Sequence, residues 1–199
     1  MAYVLVGLGN PGKEYEKTRH NAGRAVAEAF AKAHDFPAFA LKKNAEALVS
    51  EGVIAGEKVI IALPETMMNR SGRTAAALIK SVKAAGKLLV IHDELDLPLG
   101  ALKMVFGRNS GGHKGVESIM RAIKTKDFAR IRIGVSGAGK KNQAKKPSGE
   151  EKILKHVLGK FREAEEAVFK KAVKKAVLAA SVFVEEGIEQ ATQVANTRS

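Results

Sequence analysis

The spacing of apolar positions changes several times along the chain, and each change marks an element. Residues 3–8 form an uninterrupted apolar run ending in glycine, the pattern of a strand buried on both faces, and residues 25–34 form an Ala-rich helix. Residues 48–54 and 58–63 read as two strands turning around Gly56. Ala75, Leu78, Ile79 and Val82 recur at spacings of three and four, which predicts one helix over residues 66–83. Short strands are expected at 88–92, 102–106 and 131–135, with a helix over 113–123 between the last two. From Phe161 to about Glu186 runs a long helix with Ala164, Val168, Ala172, Ala176, Ala180 and Val184 on one stripe. Strands alternating with helices predict an α/β fold: a twisted mixed β-sheet with a parallel central part, flanked by helices, and a long C-terminal helix.

Composition narrows this picture. The chain has 199 residues and is 45% hydrophobic, enough for one sizeable core, so residues 1–199 are expected to form a single domain. No apolar stretch approaches the length of a membrane span. The opening Met1-Ala2-Tyr3-Val4-Leu5-Val6-Gly7 lacks the positive region and apolar length of a secretory signal, so a cytoplasmic location is expected. With no cysteine there is no disulfide, thiolate nucleophile or thiolate metal site. The net charge of +13 points to a polyanionic partner, nucleic acid or anionic lipid. Residues 136–149 hold Lys140, Lys141, Lys145 and Lys146, no acid, three glycines and Pro147, and are expected to be a mobile basic loop.

In a sheet with parallel strands, the loops after their carboxyl ends share one rim, where backbone groups and helix N-termini face a ligand. Three expected strands are followed there by polar runs: Asn10, Tyr15 and His20 after the first, Met67, Met68 and Asn69 after residues 58–63, and His92-Asp93-Glu94 with Asp96 after residues 88–91. If these strands are parallel, the runs converge. His20 can then take a proton from water near neutral pH while Asp93 accepts its other ring N–H. Asn10 and Asn69 can orient a carbonyl or the attacking water, which suits acyl hydrolysis.

Other chemistries fit less well. Gly7-Leu8-Gly9-Asn10-Pro11-Gly12 matches the dinucleotide fingerprint literally, but a polar run rather than an apolar helix follows it. No G-x-S-x-G elbow is present, and His92, Asp93, Glu94 and Asp96 lack the spacing of a zinc motif. Each residue also has a plainer reading: His20 as a solvated loop histidine, Asp93 as a turn cap, Asn10 and Asn69 as turn residues, and Met67 and Met68 as core filler. His34 and His156 have no visible supporting group and read as structural or surface residues. Gly111-Gly112-His113-Lys114-Gly115 precedes a helix whose free N–H groups can receive a carbonyl or phosphate, or is a plain glycine turn.

These segments together resemble the bacterial-type peptidyl-tRNA hydrolase family over most of the chain. The likeness rests on Gly7 to Gly12, Tyr15 and Thr18-Arg19-His20-Asn21-Ala22-Gly23, then on Pro64 to Gly72, His92 to Pro98, Gly111 to Gly115, and Arg130-Ile131-Arg132-Ile133-Gly134. The resemblance implies a monomeric α/β hydrolase without metal or cofactor and without an obligate protein partner. It implies hydrolysis of the ester joining a peptide to the 3′ end of tRNA. It also implies catalytic roles for His20, Asp93 and Asn10, a peptide and ester site at Tyr15, Met68, Asn69, His113 and Lys114, and a tRNA phosphate held by Arg132. Lys114 stands where many relatives have asparagine, replacing an amide by a cation that cannot accept a hydrogen bond. Val105 stands where some relatives have a second phosphate-binding lysine, so Lys103 or Arg108 is expected to substitute, with Lys140 and Lys141 adding contacts to the acceptor arm. An RNA-binding protein on the same fold without hydrolysis is the alternative.

Overall fold

A computed structural model describes residues 1–138 and 143–197. The chain begins with β1 (Tyr3–Gly7), α1 (Ala22–Ala33), β2 (Ala40–Lys42), β3 (Ala47–Ile54) and β4 (Glu57–Pro64). It continues through α2 (Gly72–Leu78), α3 (Val82–Ala85), β5 (Leu88–Pro98), β6 (Leu102–Phe106) and α4 (Lys114–Ile123). It ends with β7 (Ala129–Ala138), β8 (Ala144–Lys145), α5 (Glu150–Val157), α6 (Glu163–Glu185) and α7 (Ile188–Asn196). The sheet order is β2-β3-β4-β1-β5-β7-β6, with β8 pairing β7. The central pairs β4–β1, β1–β5 and β5–β7 are parallel, and β3–β4 and β6–β7 are antiparallel, giving the expected mixed sheet.

The apolar runs of β1 and β5 have no polar face because helices cover both sides. Leu5, Leu89 and Ile91 join the core under α1, α6 and α7, while Val4, Val6, Leu88 and Val90 join the core under α2 and α4. Close approach fixes where α1 starts. A Cβ on Gly23 would stand 2.0 Å from the Ile91 carbonyl oxygen, so only glycine lets the helix descend onto β5 and bring His20 to the strand end.

Four expectations about elements are corrected. Residues 66–83 do not form one helix: a 3-10 turn (Met68–Arg70) precedes α2, Ile79 is extended, and the Ser81 side chain accepts from the Ala84 N–H to start α3. Burying the β-branched Ile79 and capping at Ser81 outweigh the helical spacing. The strand expected at 88–92 runs on to Pro98, because β7 pairs with Asp93 and Glu94 through Ile133 and Gly134. Along 136–149, Ser136 is fully buried within β7, and Ala144 and Lys145 pair back onto Ala138 and Gly137. Lys140 and Lys141 lie outside the described residues. Of the expected α6 stripe, Ala172, Ala176, Ala180 and Val184 are buried, but Ala164 and Val168 are exposed, because Phe169 and Val173 take the core-facing side in the first part of α6. β2, β8, α5 and α7 are short or weakly patterned and went unassigned from sequence.

Candidate active site

The parallel pairing of β4, β1 and β5 brings their carboxyl ends to one rim. Asp93 projects there from β5, His20 from a 3-10 turn (Arg19–Asn21) just before α1, and His113 from the N-cap of α4. His20 Nδ1 lies 2.9 Å and His113 Nε2 3.0 Å from the same atom, Asp93 Oδ1. An ionised carboxylate only accepts, so both rings donate to it. The lone pair of His20 Nε2 is left as the basic atom. His113 Nδ1 accepts from the Val116 N–H at 3.3 Å, which fixes the other ring as well.

Electrostatics reinforce this geometry. Burial alone would raise the Asp93 carboxyl, but the charge and hydrogen bonds of His20 and His113 hold it well below the usual carboxylate range. For His20, burial favours the neutral ring, yet the Asp93 charge and hydrogen bond outweigh it and raise the imidazole above its ordinary value; Lys114 opposes them weakly. His92 is fully buried beneath this pair, its ring centroid 4.6 Å from that of His113. Burial, with the nearby His113 and Arg130, drives it well below its ordinary value, so it stays neutral and donates Nδ1–H to the Asp93 carbonyl at 2.7 Å.

A cleft of about 370 Å³ opens over the pair, lined by His20, Asp93, His113 and Lys114 and closed on its far side by Ile153, Leu154 and Val157 of α5. Lys114 Nζ bridges its mouth to Glu150 at 3.2 Å. Asn10 sits just behind, with its Oδ1 accepting from the Met68 N–H at 2.8 Å and its backbone clasped by the Asn21 side chain at 2.8 and 3.0 Å. Met68 is buried, and a Cβ on Gly115 would stand 2.5 Å from its Sδ, so the glycine of α4 lets Met68 pack there. Asn69 is exposed in the turn after β4, and Tyr15 is half-buried in the 3-10 turn Lys13–Tyr15. Asn10, Tyr15, Met68 and Asn69 thus lie on the β1–β4 side and do not line the cleft walls.

The phosphate candidates are on β7 and β6. Arg132 Nε donates to Glu94 Oε2 at 2.7 Å, and Lys103 is its direct cross-strand partner, whereas Val105 opposes Arg130. Directly paired residues share a face, so Lys103 stands on the same side as Arg132. Arg108 is exposed, and its carbonyl accepts from the buried Arg130 guanidinium at 2.9 Å, tying down the segment that leads to His113. Burial, then the Arg132 charge, lowers Arg130 to about 10. His92, Asp93, Glu94 and Asp96 do not converge, because Glu94 pairs with Arg132 and Asp96 with Lys146. His20, Asp93 and His113 offer three ligand atoms within 4.8 Å, but the Asp93 oxygen is already committed to two hydrogen bonds.

Sequence reasoning missed the anchoring of this site. Arg19 donates from Nη1 to the Lys160 carbonyl and from Nη2 to Glu165, both at 2.7 Å, pinning the His20 turn to the start of α6. Its only signal was adjacency to His20. Asn21, which clasps the Asn10 backbone, and Glu94, which holds Arg132, carry no signal in the sequence beyond their place in the motifs.

The family model described as peptidyl-tRNA hydrolase matches residues 4–199. The peptidyl-tRNA hydrolase of Aquifex aeolicus is 40% identical over 194 residues, covering 97% of this chain and 95% of the relative. That of Syntrophotalea carbinolica is 37% identical over 197 residues, covering 98% and 97%. The crystal structure of peptidyl-tRNA hydrolase from Acinetobacter baumannii superposes with a TM-score of 0.88 at 32% identity, covering all of this chain and 96% of that one. A rim built around His20 and Asp93, a mixed sheet and full-length similarity lead to one assignment: the chain belongs to the peptidyl-tRNA hydrolase family.

Proposed function

We propose that the chain hydrolyses the ester between a peptide and the 3′ end of tRNA, with His20 as general base. A water lying between His20 Nε2 and the ester carbonyl gives its proton to the ring as its oxygen bonds to the carbonyl carbon. The tetrahedral intermediate then collapses, the ester C–O bond breaks, and the ribose oxygen leaves with the proton held by His20. Asp93 keeps the tautomer and stabilises the imidazolium that forms in between. Backbone N–H groups opening α4, at Lys114 and Gly115, donate to the developing oxyanion. His113 borders the ester inside the cleft, Asn10, Tyr15, Met68 and Asn69 meet the peptide where it continues past the cleft onto the β1–β4 side, and Lys114, lacking an acceptor, holds a carbonyl rather than water. Arg132 takes a tRNA phosphate with Lys103 beside it and Arg108 nearby. The same reading has the enzyme working as a cytoplasmic monomer with no cofactor or obligate protein partner; among the described residues, no helix is long and apolar enough to cross a membrane.

One observation carries this reading: His20 Nδ1 is 2.9 Å from a buried carboxylate that lies in the wall of an open cleft. A binding protein without hydrolysis has no use for that pair, and nothing in the site favours the alternative. Single-turnover cleavage of a peptidyl-tRNA by wild type and by His20→Ala tests it. Wild-type cleavage with a strongly slowed variant is expected. Equal rates in the two proteins, or RNA retention without cleavage by wild type, would overturn it.

A further inference from the structure

A second cavity, larger than the cleft, lies outside it. It measures about 960 Å³ and runs between the 10–18 segment with α1 on one side and the first part of α6 on the other. It reaches the catalytic turn from behind through Asn10, Thr18 and Asn21 but includes neither His20 nor Asp93. Two exposed lysines stand on each wall, Lys13 and Lys17 facing Lys170 and Lys174, and none of the four makes an ion pair among the described residues. Lys170 and Lys174 are one helical turn apart on one face, so they form a row rather than a point charge. Glu16, Glu28 and Glu166 also line the groove, but Glu28 faces Arg24, which leaves cations in the majority.

The floor is aromatic. Phe161 and Phe169 stack with centroids 4.3 Å apart and planes 20° from parallel, and the Arg19 guanidinium lies over the Phe161 ring at 5.1 Å. Phe161 is buried and Phe169 half-buried, so Arg19, Phe161 and Phe169 make a ladder that ends in the groove. Two rows of unpaired lysines beside an aromatic end are what a single strand of nucleic acid needs: phosphates on the ammonium groups and a base continuing the stack. An acidic peptide would use the lysines and leave the aromatic ladder without a role.

We propose that this groove binds single-stranded RNA, giving the enzyme a second grip on the unpaired part of its substrate beyond the Arg132 face. The proposal rests on the reading of the chain as an enzyme of RNA esters, but it needs no chemistry at His20. Fluorescence anisotropy with a labelled hexa-adenylate, titrated over a range of salt, tests it directly. Lys170→Glu/Lys174→Glu should weaken binding at least tenfold and reduce the salt slope by about 1.4, at about 0.7 per phosphate released. Phe169→Leu keeps an apolar contact with the core but loses the stack, so it should weaken binding about tenfold with the slope unchanged. Lys80→Glu/Lys83→Glu, the same charge change on exposed lysines around α3, should stay within about twofold of wild type.

Equal weakening by the two lysine pairs would reduce the effect to net charge and overturn the groove, as would wild-type binding by Phe169→Leu. Displacement of the RNA by oligoglutamate of equal charge at equal concentration would replace RNA by an acidic peptide as the occupant. Cleavage of peptidyl-tRNA is scored separately. An enzyme that cleaves normally while its groove variants bind like wild type sinks only the groove, whereas a wild type that binds RNA and never cleaves sinks only the hydrolase reading.

Discussion

Two polar regions adjoin at Asp93 and Glu94 of β5 and are built in opposite ways. Around Asp93, the ring atoms of His20 and His113 are assigned by hydrogen bonds, and the carboxylate is 3% exposed. On the β7–β6 face, Arg132 is half-buried against Glu94, and Lys103 beside it is exposed. The first region depends on where one proton sits. The second depends on the sum of several charges that can replace one another. Substitutions at the first should therefore change turnover and its pH dependence, and those at the second should change affinity and its salt dependence.

His20→Ala gives the sharpest test of that division. It removes the base and should lower kcat by about 10² to 10⁴-fold, with KM and the salt slope nearly unchanged in steady-state assays on peptidyl-tRNA. A large change in the salt slope would show that the two regions are not separable. Asp93→Asn comes next, at about 10²-fold in kcat, and its pH profile is more telling than its rate. His20 must be unprotonated to act, so kcat/KM falls as pH drops through the pKa of this ring in the free enzyme. In wild type Asp93 raises that pKa. With a neutral amide, burial and Lys114 act unopposed and lower it, so the acidic limb moves to lower pH. A limb that stays in place would assign it to another group.

Arg132→Ala probes the other region. KM should rise about tenfold and the slope of log KM against log salt should fall by about 0.9, one phosphate contact on duplex RNA treated like B-DNA, while kcat changes little. Glu94 then loses its cationic partner and keeps only the Asp96 N–H on its other oxygen, so part of the effect comes from an uncompensated carboxylate. Arg132→Ala/Glu94→Gln separates the two: if the double variant regains affinity, the exposed cations suffice, and if it does not, the guanidinium itself binds the phosphate.

The division also explains what could be read from sequence. The strand periods and the parallel sheet were legible because buried strands write their pattern into consecutive residues. The pairing of His20 with Asp93 followed from placing both at strand ends. The second donor to the same oxygen was not legible: His113 reaches Asp93 Oδ1 from the N-cap of α4, and its motif alone suggested helix N–H donors or a plain glycine turn. Likewise α5, which closes the cleft with Ile153, Leu154 and Val157, has eight residues and too short a pattern to stand out from the lysine-rich segment before it. Residues 66–83 show the reverse error, where a helical spacing was real but Ile79 and Ser81 broke the backbone.

Lys114 sits between the two regions and should give the smallest effect. It belongs to the cationic surface by exposure, and its bridge to Glu150 joins two exposed groups, which contributes little in water. Yet its charge also presses on His20, lowering the ring against the pull of Asp93. Lys114→Asn removes that pressure, so the His20 pKa rises slightly and the acidic limb of kcat/KM moves to higher pH, opposite in sign to Asp93→Asn. The new amide adds an acceptor at the cleft mouth, so kcat on the alkaline side should change by no more than about twofold in either direction. The salt slope should fall only if Lys114 also meets phosphate. Paired pH and salt titrations of this one variant thus measure how far its cation serves proton transfer and how far it serves the RNA.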